Sequence, residues 1–521
     1  SALPAGNYVS ITASGNHVVT VLQNQDETGS VFYQDGDLWT TPDIAVNQPR
    51  KIKAYNNKLY LVEKRAVHTF SNEMQLLDTY TDYGFGNPRM NDVLISSTGT
   101  MWIADDYFGL IKRKSNGVEV TRLNGPAFSY SSDITQAGDK VLVAGGDKQN
   151  PYSQRGMYYF QDGNWTNIND GNYSKLDSVQ NLTFVAADPY EKETYYAASW
   201  GYGLLEFVND EIRHIYDERN TPLRTIQPNG HGYLRIAGMD FDSQGNLWLS
   251  TTQTMQPVYA LTREGEWLLP GVSGFGFGFN QQVGDLLVTD KDHVWVALPD
   301  RGFLIISPDG EKKVMQLLDE NGEIIDAEIT QIAEDNKGVI WVGTTSGIAV
   351  YYNPEFAFES QTLTASRIIV NNTYLLKYDA VSDIYVDGGN RKWIGTQNSG
   401  AILLSADGKE QLQQFTKNNS PLPSNTITSI GMDESNGEVF FGTDAGIVSY
   451  RSDARKGEAA FDDVYVYPNP VRAEYEGPIT IDGLMDNTLV KITDVAGNLV
   501  YQGTSHGAVF TWDGTRRDGQ R

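Results

Sequence analysis

Few side chains in this sequence have types and spacings suited to covalent or metal chemistry. There is no cysteine in 521 residues, so thiol nucleophiles, disulfides and cysteine-based zinc sites are excluded. Histidines at 17, 68, 214, 231, 293 and 506 form no His-x-His or H-E-x-x-H pattern. No Gly-rich phosphate loop, nucleophile elbow or zincin motif occurs. Asp240–Gly245 (D-F-D-S-Q-G) opens like a calcium loop but lacks the distal bidentate Glu, so it reads as a turn. No metal and no cofactor is expected. Carboxylates abound, with 66 Asp+Glu, yet linear spacing cannot set two of them the roughly 5–9 Å apart that glycoside hydrolysis requires. What remains is recognition chemistry in short clusters. These are Asp105, Asp106 and Tyr107; Trp200 and Tyr202; Gln253 and Met255; Asp300 and Arg301; Thr345 and Ser346; Gln397 and Asn398; and Asp444. Trp200 and Tyr202 can stack on the C–H faces of sugars, and Arg301 can fork a carboxylate or phosphate. The bland alternative is that the aromatics pack between elements and the charges are solvated.

The elements that must position these clusters are β-hairpins. Asp335–Tyr351 reads D-N-K-G-V-I-W-V-G-T-T-S-G-I-A-V-Y: a polar turn at Gly338, a strand centred on Trp341, a small polar loop and a second strand. The hairpin recurs every 40 to 54 residues or so, in about ten copies. Clear ones centre on Trp102, Tyr196, Trp248, Trp295, Trp341, Trp393 and Phe440. Each is preceded by a short apolar strand, such as Ile329–Ala333 or Val381–Val386, and followed by a more exposed one, such as Glu410–Phe415. Four strands per repeat is the content of a β-propeller blade. Ordering about 45 residues costs on the order of 60 kcal/mol, and one four-stranded sheet has two faces to cover. Stacked neighbours cover them, so blades must close in rings or be capped.

Ten blades exceed an ordinary ring of about four to eight. The expected architecture is all-β: a partial propeller of about three blades over 1–125, a seven-bladed propeller over 126–454, and a small sandwich over 461–521. In a propeller, the loop between the second and third strands of each blade opens on the usual binding face. The clusters above fall in those loops.

Formal net charge is -26, so the chain as a whole repels nucleic-acid phosphates and acidic membranes. Lys51, Lys53, Lys58, Lys64 and Arg65 mark the first hundred residues as a place for a local basic patch. No apolar run approaches the roughly 20 residues that span a bilayer. The sequence starts at Ser1, without an initiator Met or signal segment, as a processed form or a fragment would.

After Arg451 the composition shifts. Ser452–Ala460 reads as a linker. Strands then follow at Val464–Tyr467, Ile479–Ile481, Leu489–Thr493, Leu499–Tyr501 and Val509–Trp512, the pattern of an immunoglobulin-like sandwich whose closing strand would lie beyond Arg521. Three motifs in order, V-Y-P-N-P-V (Val466–Val471), V-K-I-T-D-V-A-G-N-L-V-Y (Val490–Tyr501) and W-D-G-T (Trp512–Thr515), resemble the C-terminal sorting domain of type IX secretion cargo in Bacteroidetes. That family usually ends in a Gly-x-Tyr-type strand, which this sequence lacks.

Asp335–Ile348 is similar throughout to the two-component-regulator propeller consensus, D-x-x-G-x-Φ-W-Φ-G-T-x-x-G-Φ. Propellers followed directly by a sorting-type tail, with no kinase motif, most resemble the PorZ-like family of type IX surface components. The resemblance implies a non-catalytic role at the outer-membrane surface of a Gram-negative bacterium. It also implies docking to a PorU-like sortase partner and recognition of anionic lipopolysaccharide for attachment to cargo. PorZ-like proteins carry two seven-bladed propellers, which would put about four blades before Ser1. Two other readings stay open: a glycan-sensing propeller related to hybrid two-component sensors, and a secreted propeller lyase or glycosidase. An acidic chain recognising an anionic glycan needs a basic subsite, a bridging cation, or sugar contacts away from the charges.

Overall fold

The recurring hairpin frame folds for local reasons at nearly every fixed residue. Asp335 Oδ1 accepts the backbone N–H groups of Lys337 (2.9 Å) and Val339 (3.2 Å), while Oδ2 accepts Trp341 Nε1–H at 3.2 Å. The turn aspartate thus fixes the indole. Asp242 and Trp248 repeat the bond at 2.9 Å, which commits the D-F-D-S-Q-G stretch to a turn. At the far end, the Thr344 hydroxyl donates to Gly347 O at 2.8 Å, as Thr396 does to Gly400 O at 2.8 Å. The glycine of G-T is required by the next sheet: a Cβ at Gly395 would sit 2.8 Å from Ile427 Cγ2.

The computed structural model describes residues 3–515 except 115–116, 122, 151–155, 228–231, 361, 371–372, 459, 462, 473 and 476. His231, the end of the polar excursion at Gly145–Arg155, and the last residues of the D-G-T-R-R-D-G segment lie outside the described residues. The chain divides into two compact units, residues 1–127 with 164–178, and residues 128–163 with 179–521. Among the described residues no helix is long and apolar enough to cross a membrane.

The first unit stacks three antiparallel sheets, each in meander order. They begin with Asn7–Ser14, Pro49–Tyr55 and Met90–Ile95. The middle sheet is covered on both faces, so Lys58–Glu63 (K-L-Y-L-V-E) is almost wholly buried. Leu59 and Leu61 join the core shared with the first sheet, and Tyr60 and Val62 the core shared with the third. The outward faces of the stack stay open, with Ile11 at one end and Leu94 at the other exposed. Two lysines of the basic cluster share one aspartate: Lys53 Nζ lies 2.6 Å from Asp92 Oδ1, and Lys51 Nζ lies 3.8 Å from Asp92 Oδ2.

The second unit is a closed ring of seven blades. Its innermost strands are Asp133–Ala137, Leu182–Ala187, Leu234–Phe241, Leu286–Val288, Ile329–Glu334, Val381–Val386 and Ile427–Asp433. Each packs beside the next, and the last beside the first. Closure rests on the Ser429 hydroxyl donating to Ser131 O (3.0 Å) and on Glu434 N–H donating to Gln136 Oε1 (3.0 Å). Second strands such as Ile340–Thr344 and Lys392–Thr396 are buried at every position because a blade lies on either side. Even Lys392 is fully buried there. Its Nζ bonds Asp335 Oδ2 (2.7 Å), Asn390 O (2.8 Å) and Ala406 O (2.7 Å), and sits 4.6 Å from the Trp341 ring centroid.

The tail forms two small sheets around one core. Tyr465–Tyr467, Ile479–Asp482 and Phe510–Trp512 make one sheet, and Leu489–Thr493 with Leu499–Thr504 the other. Leu484, Val490 and Phe510 lie between them, with Ile481, Ile492, Tyr501 and Trp512 packed around. Arg455 anchors this module: its guanidinium pairs with Asp482, and its carbonyl accepts Ala508 N–H at 3.1 Å.

Candidate functional site

The innermost strands share a register that lines the ring's axis. Each has a position where its pairing with the second strand shifts, or the equivalent aspartate of a more regular strand. These positions hold Asp133, Phe184, Gly238, Asp285, Gln331, Asp383 and Ser429. Three of the aspartates clamp the following blade. Asp133 Oδ2 accepts Val185 N–H (2.9 Å), Asp285 Oδ2 accepts Ile332 N–H (3.3 Å), and Asp383 Oδ2 accepts Ile430 N–H (2.6 Å). In the third blade the position is Gly238, where a Cβ would collide with the Leu286 backbone. Asp240, two residues on, supplies the clamp there by accepting Val288 N–H at 2.7 Å. Burial dominates the acidity of these groups, pushing Asp133 and Asp240 up to about 6 and Asp383 up to about 7. Asp285 is raised too, against the pull of nearby Lys148.

Above this ring, on the loop side, opens a cavity of about 370 Å³ lined by Lys148, Phe184, Trp200, Arg235, Gln253, Asp285, Thr330 and Gln331 among others. The fold brings its basic groups together by two routes. Trp200 ends the second strand of blade 2 and pairs across an antiparallel bridge with Arg235, at the start of blade 3's innermost strand. The guanidinium carbon lies 5.5 Å from the indole centroid, and one terminal nitrogen donates to Gln253 Oε1 at 3.0 Å. Arg235 Nε is buried without a hydrogen-bond partner among the described residues. Lys148 comes from the second-to-third-strand loop of blade 1. Its ammonium sits 4.0 Å from the Phe184 centroid and 5.5 Å from that of Trp200. Burial pulls the Lys148 pKa down, opposed by Asp285 and Asp133. Neither Lys148 nor Arg235 has a described carboxylate within ion-pair distance. The mouth therefore presents a lysine and an arginine with no carboxylate at ion-pair distance, Asp285 further below, an aromatic platform and amide groups, suited to holding an anion that also carries apolar C–H faces.

The other sequence-derived candidates scatter. Gln253 belongs to the mouth, while Tyr202 lies beside it, partly exposed, with its N–H donated to Ser199 Oγ (3.0 Å). Asp300, Gln397 and Asp444 are exposed on loops. Arg301 is a correction: its guanidinium donates to Gln281 Oε1 (3.2 Å) and Phe275 O (3.1 Å), so it braces a loop and does not present a free fork. Asp105 is another. It is buried in the first unit and accepts bonds from Tyr83 OH (2.9 Å) and from the N–H groups of Arg89 (2.7 Å), Tyr107 and Phe108 (2.9 Å each). Tyr107 packs under Arg89, whose guanidinium carbon lies 4.6 Å from its ring centroid. Asn398 bonds Asp379, away from the mouth residues. Sequence reasoning missed Lys148, inside an irregular polar excursion, and Arg235, at the edge of an innermost strand. The only sequence signal for Arg235 is its place immediately before the apolar run of that strand.

The two component regulator propeller profile matches residues 323–346, the turn and strands around Trp341. Comparison with curated proteins finds no match. Among solved structures, PorZ, an essential surface component of the type IX secretion system of Porphyromonas gingivalis, aligns over 99% of this chain and 78% of its own, at 22% identity and a TM-score of 0.64. The extracellular domains of two hybrid two component systems of B. thetaiotaomicron are more distant. One is 12% identical over 99% of this chain and 84% of its own (TM-score 0.44), the other 18% identical over 97% and 63% (TM-score 0.35). The chain is thus similar in fold to PorZ from end to end, and one of its blades carries the two component regulator propeller signature.

Proposed function

We propose that this protein is a non-catalytic surface component of a type IX secretion system, and that the mouth of its seven-bladed ring recognises an anionic lipopolysaccharide or related acidic glycan. The observation that carries the ligand is the Lys148–Arg235 pair flanking Trp200, with Arg235 Nε unpartnered. In a chain of net charge -26, two cations gathered on an aromatic platform answer the objection that an acidic protein is a poor binder of anions. The likeness in fold to PorZ supports the assembly, and the tail motifs support an immunoglobulin-like, sorting-type module docked on the ring through Arg455. A sortase-like partner completes the reading. The glycan-sensing alternative uses the same mouth chemistry and differs in lacking that partner. Affinity capture from a Bacteroidetes outer-membrane extract, with the tagged protein as bait, tests the assembly. Co-recovery of a sortase and anionic lipopolysaccharide is expected. Recovery of glycan without sortase would favour the sensor, and recovery of neither would overturn the proposal.

A further inference from the structure

A second cavity of the ring, larger than the mouth and sharing none of its lining residues, lies between blades 5 and 6. It has a volume of about 840 Å³ and is bounded by Ile369, Tyr374, Lys377, Tyr378, Asp379 and Asn398. Asp379 is 7% exposed. Its Oδ1 accepts Asn398 Nδ2–H at 2.9 Å, while its Oδ2 is buried without a donor among the described residues. Leaving a carboxylate oxygen unsatisfied and out of water is destabilising. Among the described residues none supplies that donor, which leaves the place for one from outside. The turn over Asp379 is also unusual: Leu376 holds a left-handed backbone, φ 58°, a conformation costly for a branched side chain and frequent at ligand sites. The turn is held by the Ser346 hydroxyl donating to Lys377 O at 2.8 Å.

The remaining lining specifies the donor's class. Tyr374 is oriented by Arg367, whose guanidinium carbon lies 4.7 Å from the ring centroid. Tyr378 is 90% exposed, with Lys377 Nζ 5.3 Å from its ring centroid. Two tyrosine faces, one ammonium donor, one amide and one carboxylate in need of a donor make a site balanced in charge and mixed in hydrogen-bonding character. That pattern fits a neutral ring with adjacent hydroxyls and apolar C–H faces, and disfavours an anion, which Asp379 would repel. We infer that this pocket is a neutral-sugar subsite in which a ligand hydroxyl donates to Asp379 Oδ2 while the Tyr374 and Tyr378 rings pack on the sugar. The subsite uses none of the mouth residues, so it stands whether or not the mouth takes an acidic glycan.

The test is saturation-transfer NMR and calorimetry on the whole chain with mannobiose, lactose, N,N′-diacetylchitobiose and, as a cationic comparison, glucosamine. At least one neutral disaccharide is expected to bind. Asp379→Asn, which keeps the shape but removes the charged acceptor, should weaken it about tenfold or more, and Tyr378→Ala, a surface change, should weaken it severalfold. Arg235→Gln should leave neutral-sugar binding unchanged, and Asp379→Asn should leave acidic-glycan binding unchanged. Failure here is thereby separable from failure at the mouth. No neutral sugar binding at 10 mM (roughly the weakest range such sites serve), binding insensitive to both variants, or preference for glucosamine would each overturn the inference.

Discussion

Trp200 and Arg235 stand opposite each other on an antiparallel bridge that joins blade 2 to blade 3, with the guanidinium carbon 5.5 Å from the indole centroid. The pairing is made by backbone, so the cation and its platform are positioned by the same hydrogen bonds that hold the blades. Arg235→Gln should therefore keep the fold, because Gln253 retains an amide neighbour, yet lose the charge at the mouth. Thermal unfolding should shift little while acidic-glycan affinity falls about 10- to 100-fold, the range for a lost charged hydrogen bond. Calorimetry on the folded variant checks both halves.

Trp200→Ala should act differently. It removes the surface against which Arg235 and Lys148 rest, so both cations gain rotamers that the ligand must then freeze. The expected result is weaker binding with an unchanged salt dependence, since the number of charges is unaltered. Affinity measured at two ionic strengths reads this out.

Lys392 and Asp335 predict a large stability effect far from the mouth. Both are buried, and the ammonium lies 2.7 Å from the carboxylate. Burial opposes both charges, yet the Lys392 bond and charge win at Asp335 and hold its carboxyl below the usual range. Lys392→Met would strand that carboxylate, at about 3–5 kcal/mol. The double variant Lys392→Met with Asp335→Asn should recover much of the loss. Urea unfolding of the three proteins decides it, with a non-recovering double variant contradicting the account.

The blade-clamping aspartates of the innermost strands predict a pH trend. A carboxyl whose folded pKa is raised by burial binds its proton more tightly folded than unfolded. Its stabilisation is therefore full below the ordinary carboxylate range and lost as pH rises through the folded value. For Asp383, pushed up to about 7, the loss falls between about pH 4 and 7. Asp383→Asn should flatten the dependence of melting temperature on pH across that window and raise stability, relative to the parent, at pH 8.

Much of the fold was legible because each fixed residue of the hairpin frame has a partner a few positions away. Asp335 meets Trp341, and Thr344 meets Gly347. Ring closure is different in kind, since Ser429 finds Ser131 across 298 positions, and a repeat alone does not say where it returns. The site was partly legible. Trp200 stood out as an aromatic beside Gly201 at the entry to a loop of known face. Lys148 did not, because its loop departs from the repeat, and Arg301 misled because its partners, Gln281 and Phe275, come from an irregular segment. Asp133, Asp285 and Asp383 could have been found by aligning the Asp-apolar pair that recurs at one register position in three of the innermost strands.

The steric reason for Gly238 gives one more expectation. A side chain there meets the Leu286 backbone, which cannot swing aside, whereas at Gly395 it meets the side chain of Ile427, 2.8 Å away. Gly238→Ala should destabilise the ring more than Gly395→Ala, the latter by about 1–3 kcal/mol. Chemical unfolding of both variants ranks them.

The central claim, that the mouth binds an acidic glycan through Lys148, Arg235 and Trp200, is tested most directly by calorimetric titration with oligogalacturonate and with purified Bacteroidetes lipopolysaccharide at low and high salt. The parent should bind both, more weakly as salt rises, and the Lys148→Gln, Arg235→Gln double variant should lose binding together with its salt dependence. Equal affinity in parent and double variant would contradict the account.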